Sequence, residues 1–172
     1  VKRAAFVRAQ EEAMQLNNMR CKECKGEMSL RALAPIDGEQ HGVHMRIEGM
    51  PAMECAEGHK RFVAPEFAVK MMEALLADRL VPLEGAAQKG LLKKRYCCPG
   101  CGQELPAGDQ GRVEAKRVLE MKGLAPFGVQ VELPKYRCPA CGRESVEPRD
   151  AMMDDLMKAS VQAFRAAEVA PT

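Results

Sequence analysis

The chain has 172 residues and sets 26 Lys and Arg against 24 Asp and Glu, so a net charge of +2 defines neither a polybasic nor an acidic tail protein. With no Trp, two Tyr and five Phe, it excludes separate large aromatic cores in several domains. No apolar run reaches the roughly 18 residues of a membrane-spanning helix, and no secretory-type stretch opens the sequence, so a soluble protein of a reducing, bacterial-type cytoplasm is expected.

In chain order, residues 2–18 predict an extra N-terminal helix with Phe6, Ala9, Ala13 and Leu16 on one face, ending at Asn17 and Asn18. Cys21 and Cys24 follow as a Cys-x-x-Cys knuckle. Thirty residues later Cys55 and His59 offer two more ligands, with His41 and His44 left in an intervening turn. Three thiolates and one imidazole make a tetrahedral zinc shell. The reading set against it is an exposed His59 beside an incomplete site. Pro65 then opens an amphipathic helix whose apolar positions are Phe67, Met71, Met72, Leu75, Leu76 and Leu80.

Residues 81–95 read as a connection, and Lys89, Lys93, Lys94 and Arg95 lie at its end. The next knuckle is Cys98-Pro99-Gly100-Cys101-Gly102, and Cys138-Pro139-Ala140-Cys141-Gly142 repeats it after 36 intervening residues. Four thiolates close a tetrahedron and leave no position for water or substrate, which argues for a structural ion. Cys97 is the spare thiol, because only Cys98 preserves the Cys-Pro-x-Cys-Gly turn. Between the knuckles, Val129 to Leu133 alternates apolar and polar as a half-buried strand does, with Val113 to Met121 as its partner. Pro148 opens a second helix carrying Met152, Met153, Leu156, Met157, Val161 and Phe164.

The two halves are a repeat. Cys55 to Pro65 and Cys138 to Pro148 both span ten residues, and Val63 matches Val146. The predicted fold is α+β, small and metal-stabilised: two tandem zinc ribbons, each followed by an amphipathic helix that covers the back of its own ribbon. The expected division is an N-terminal helix (1–20), a first ribbon with its helix (21–80), a linker (81–95) and a second ribbon with its helix (96–172). Two Zn2+ per chain are expected, each supplying roughly 10 to 16 kcal/mol of apparent binding energy to folding. Paired Cys-Pro-x-Cys-Gly turns also resemble rubredoxin, an iron protein, although the wide spacing and scarce aromatics favour zinc.

The segment Arg46-Ile47-Glu48-Gly49-Met50-Pro51-Ala52-Met53-Glu54-Cys55, with Cys21-x-x-Cys24 upstream and a helix downstream, resembles the YgiT-type zinc finger of MqsA-like antitoxins over about residues 20–78. Gly58 and His59 stand where that family places its last cysteine, and a second ribbon stands where it carries a DNA-binding helix-turn-helix. The resemblance implies a zinc module that docks onto another macromolecule.

Charge is uneven along the chain. Residues 86–143 hold eleven Lys or Arg against five Asp or Glu, while both flanking segments are acidic. Lys89, Lys93, Lys94, Arg95, Arg112, Lys116, Arg117 and Lys122 are therefore the candidate contacts to nucleic-acid phosphates. There is no phosphate-cradling Gly-rich loop and no His-Glu-x-x-His, so no catalytic residue, small-molecule substrate or membrane contact is expected. The expected function is a non-catalytic binding subunit of a larger, nucleoprotein assembly. The alternative is a protein-binding adaptor or antitoxin-like regulator docking through the methionines of the two helices.

Overall fold

A computed structural model describes residues 19–171; the N-terminal helix expected over 2–18 lies outside the described residues. The fold is a small mixed α/β structure with several sheets and, among the described residues, two helices.

After the first knuckle, β1 (Met28–Ala32) pairs antiparallel with β4 (Pro51–Cys55), and β4 pairs with β5 (Lys60–Arg61). Between β1 and β4 stands the hairpin of β2 (Ile36–Gln40) and β3 (Val43–Glu48). His41 and Gly42 form its turn, both at positive φ (47° and 80°), which is the two-residue geometry whose twist suits a tight hairpin. Helix α1 (Phe67–Leu76) follows, then the short strands β6 (Glu84–Gly85), β7 (Ala87–Lys89) and β8 (Arg95–Cys97). Beyond the third knuckle come β9 (Arg112–Leu119) and β10 (Phe127–Arg137). Past the fourth come β11 (Glu144–Val146), α2 (Arg149–Ala166) and β12 (Val169–Ala170). The stretch 81–95, read as a connection, thus carries two strands and the start of a third.

The halves join along β3 and β10, which pair antiparallel. Met45 and Gly128 stand ten residues before Cys55 and Cys138 respectively, and Glu48 and Val131 stand seven before. Met45 pairs with Val131, and Gly128 with Glu48. The register maps onto itself when the halves are exchanged, as a two-fold relation requires. On the outer edges β2 flanks β3 and β9 flanks β10.

The helices follow the same symmetry and cross over. Helix α1 emerges from the first half and packs on β9 of the second, and β6 after it pairs in parallel with β11. Helix α2 emerges from the second half and packs on β2 and β3 of the first, and β12 after it pairs in parallel with β5. The expectation that each helix covers its own ribbon is therefore corrected. The physical reason lies partly in Gly38 on β2, where an added Cβ would meet the Ala159 carbonyl oxygen at 1.9 Å. A strand without a side chain at that point, facing a helix surface of Ala159, Ser160 and Ala163, permits close backbone approach.

One hydrophobic cluster spans both halves, with Val43, Met45, Ile47, Val129, Val131 and Leu133 at its centre. Phe62 and Phe67 of the first half meet Phe164 and Phe127 of the second at ring distances of 4.9–5.9 Å. These four Phe are thus pooled in one core, while Tyr96 and Tyr136 pair at 5.9 Å on a second, smaller cluster around Cys98, Leu105 and Cys138. Met157 and Val161, expected on the buried stripe of α2, are 53% and 43% exposed.

Candidate metal centres

Among the described residues, two side-chain groups could hold metal ions: Cys21, Cys24, Cys55 and His59, and Cys98, Cys101, Cys138 and Cys141. Within each group the ligand atoms all lie within 4.8 Å of one another. Every knuckle sits where a strand pair opens. The first is bracketed by the bridge of Arg20 with Glu27 and the third by that of Cys97 with Glu104. The second lies between β4 and β5, and the fourth between β10 and β11.

Each turn is closed by a backbone bond back to its first cysteine, spanning four residues in the three Cys-x-x-Cys knuckles and three residues at Cys55. The amides of Lys25, Gly58, Gly102 and Gly142 donate to the carbonyl oxygens of Cys21, Cys55, Cys98 and Cys138 at 2.9–3.1 Å. Gly102 and Gly142 take φ of 76° and 74° there; at the matching position of the first knuckle Lys25 takes 63°.

The distances fit coordination. In the second centre Cys98 Sγ lies 3.6 Å from Cys141 Sγ, and Cys101 Sγ lies 3.5 Å from Cys138 Sγ. In the first, Cys24 and Cys55 sulfurs are 3.6 Å apart, and His59 Nδ1 lies 3.6 and 3.4 Å from the sulfurs of Cys21 and Cys55. A tetrahedron with metal–sulfur bonds of about 2.3 Å has edges of about 3.8 Å, and a nitrogen ligand shortens them. A disulfide would need sulfurs about 2.05 Å apart, and all eight cysteines are free.

The titration of the thiols is also consistent with a bound cation. Backbone amides of Cys101 and Gly100 pull the Cys98 thiol down to about 6. The Gln103 amide pulls Cys101 the same way, yet Cys138, partial burial and the other two sulfurs push it up to about 11. In the first centre the Cys24 amide brings Cys21 down to about 7, while Cys24 is raised against the pull of the Gly26 amide. Within each cluster some thiols ionise at the expense of others. A divalent ion removes that conflict.

His59 presents Nδ1 to the sulfurs, and its Nε2 meets Glu23 Oε2 at 3.0 Å. A carboxylate behind a ligating imidazole fixes its ring and raises its basicity. Sequence reasoning missed Glu23, although its place inside the first knuckle was the available signal. Cys97 is buried outside both clusters.

The eight candidate phosphate contacts divide. Arg117 donates to the carbonyl oxygens of Arg79 and Leu80 at 2.9 and 3.0 Å, tying the tail of α1 to β9. Arg112 bonds the Gly42 carbonyl, Lys116 pairs with Glu114 at 3.1 Å, and Arg95 pairs with Glu104 at 3.2 Å. Lys122 follows β9 and has interactions of its own. Lys89, Lys93 and Lys94 stand exposed on the β7–β8 hairpin, with no ion-pair partner among the described residues.

A further polar group was not anticipated. His41 Nδ1 meets Asp155 Oδ1 at 2.9 Å, across from the β2–β3 turn to α2. Asp155 and Glu147 are each only 5% exposed, and Glu147 Oε1 and Ser145 Oγ are buried without hydrogen-bond partners among the described residues. Burial, and then the neighbouring Asp155, push the Glu147 carboxyl up to about 7.

Among the described residues no helix is long and apolar enough to cross a membrane. No family model matches the chain, and no curated protein or solved structure matches it either.

Proposed function

We propose that the chain is a non-catalytic binding subunit in which two zinc ions brace tandem ribbons and present a basic hairpin to nucleic-acid phosphates. The observation that carries this reading is the joining of a closed four-thiolate cluster to a basic hairpin, three of whose lysines have no ion-pair partner among the described residues. Strand β8 runs directly into Cys98, and Lys89, Lys93 and Lys94 flank the turn that precedes it. A closed shell gives the ion no open position for Lewis-acid chemistry. The three lysines supply charge that no ion pair among the described residues neutralises, in a setting suited to a larger nucleoprotein assembly. The resemblance of the first half to a YgiT-type finger supports a docking module rather than an enzyme.

Metal analysis of the purified chain should give two zinc ions and no visible colour; a red, iron-loaded protein would favour electron transfer. Fluorescence anisotropy with a labelled duplex should then show affinity falling with salt, with a log–log slope of roughly −3 for three neutralised phosphates. Affinity that is absent or independent of salt would remove the nucleic-acid part of the reading.

A second reading, a protein-docking adaptor or antitoxin-like regulator, is favoured by the exposure of Met157 and Val161, four residues apart on the outer face of α2. Such docking would persist at high salt.

A further inference from the structure

The apex of the β7–β8 hairpin carries Leu91 and Leu92, whose exposures of 101% and 103% match those of free side chains. Phosphate contact leaves this pair without a role. Around it the sequence Lys89-Gly90-Leu91-Leu92-Lys93-Lys94-Arg95 contains four cations and no acid. The strands pair Lys89 with Arg95, Gln88 with Tyr96 and Ala87 with Cys97, and they form a separate two-stranded sheet. Gly90, at a φ of 95°, turns the chain where an added Cβ would meet the Lys93 carbonyl oxygen at 2.2 Å. The ribbon base is held by the Arg95–Glu104 ion pair and by the bridge of Cys97 to Glu104, beside the second cysteine cluster.

We propose that this hairpin is a wedge for duplex DNA: Leu91 and Leu92 insert at a base step while Lys89, Lys93 and Lys94 hold the phosphates on either side. The inference rests on the nucleic-acid reading above and names its partner and mode. A two-stranded ribbon is narrow enough to enter a groove. Apolar side chains placed between base pairs unstack a step and bend the duplex, with cations collecting the phosphates brought inward. Charge complementarity favours this occupant over an apolar protein groove, which would leave three lysines unmatched. Two leucines also make a smaller apolar face than an interfacial membrane anchor needs. Pyrimidine–purine steps unstack most readily and are the preferred sites.

The test uses the full chain with both metals bound and a short duplex with a central TA step, labelled at its two ends for energy transfer. Wild-type protein should bind and bring the ends closer. The double variant Leu91→Ser/Leu92→Ser should lose the end-to-end change and about tenfold or more in affinity while keeping the salt slope. Lys93→Glu/Lys94→Glu should lose affinity and flatten the slope. All four positions are exposed, and unchanged metal content with an unchanged unfolding midpoint would show that the variants fold. If the leucine variant binds and bends the duplex as the wild type does, the wedge is overturned and phosphate binding stands. If wild-type protein binds no duplex at any salt, the nucleic-acid reading itself falls and takes the wedge with it. Leucine-dependent sedimentation with phosphatidylserine/phosphatidylcholine vesicles, without duplex bending, would overturn the wedge in favour of a lipid surface.

Discussion

Lys25 occupies a left-handed backbone position, φ 63°, that Gly102 and Gly142 fill in the two knuckles of the four-cysteine centre. A side chain there costs about 1 kcal/mol or more through contact of Cβ with the following carbonyl. Its exposed Nζ bond to the Lys22 carbonyl, 2.7 Å, offsets only part of that. Lys25→Gly should therefore stabilise the first knuckle and raise the thermal midpoint by about 2–4 °C; a lowered midpoint in a calorimetric scan would show that the lysine is favoured in place. Glu23 leads to a second expectation. Its carboxylate on His59 Nε2 orients the one nitrogen ligand of the first centre. Glu23→Gln should weaken that site by about 10- to 100-fold in a chelator competition and leave the all-cysteine centre unchanged. Equal loss at both centres would point to a global effect. The cysteines and His59 were legible because ligand spacing is a local property. Glu23 was not, because a carboxylate behind a ligand is recognised only once the ring has a direction.

Helix α2 illustrates why a helical period can be right and its buried face misassigned. Of the suggested stripe of Met152, Met153, Leu156, Met157, Val161 and Phe164, Leu156 and Phe164 are buried but Met157 and Val161 are exposed, and Ala159, Ser160 and Ala163 take buried positions in their place. Small residues face the core because the helix lies directly on Gly38 of β2. Gly38→Ala should accordingly destabilise the protein by about 1–3 kcal/mol or more, since the new methyl meets backbone that cannot step aside; a denaturation midpoint equal to wild type would refute the close approach. Just before the same helix, Glu147 is buried beside Asp155 and within electrostatic reach of His41. Its carboxyl, pushed up to about 7 by burial and then by Asp155, is stable as the neutral acid. A raised carboxyl contributes stability at low pH that is lost as pH rises through about 7. Glu147→Gln cannot ionise, so its midpoint relative to wild type should rise between about pH 5 and pH 8. A pH-independent difference would mean that the acid is not held neutral. The two long strands of the second half were readable, since Val129 to Leu133 and Val113 to Met121 alternate as β10 and β9 do, whereas the short strands β6 to β8 fell in a stretch read as a connection. What periodicity does not encode is which sheet a helix returns to, and the exchange of α1 and α2 therefore lay beyond it.

The exchange determines how the molecule as a whole should behave. Each half contributes two knuckles, a hairpin, a helix and a terminal strand, and both the helix and the strand are placed on the opposite half. Phe62 stacks on Phe67 within the first half, but their contacts with Phe164 and Phe127 form only when both halves are present, so neither half completes the aromatic core alone. A self-complementary register along β3 and β10 further resembles the contact between two copies in a symmetric dimer, here made within one chain. Metal binding alone does not restore the missing partner, because the thiolate clusters lie at strand ends rather than under the helices. A fragment of residues 19–86 supplied with zinc should consequently hold its metal at the first knuckles without giving the dispersed amide spectrum of a folded monomer. Its β3 edge, left unpaired, is an exposed template for another strand, so the fragment should self-associate on a sizing column. Adding the complementary fragment, residues 87–172, should return a one-to-one complex with native-like dispersion, because every exchanged element then finds its site. A first fragment that is monomeric, dispersed and cooperative in unfolding would show that the core divides after all, and that α1 can cover the ribbon from which it emerges.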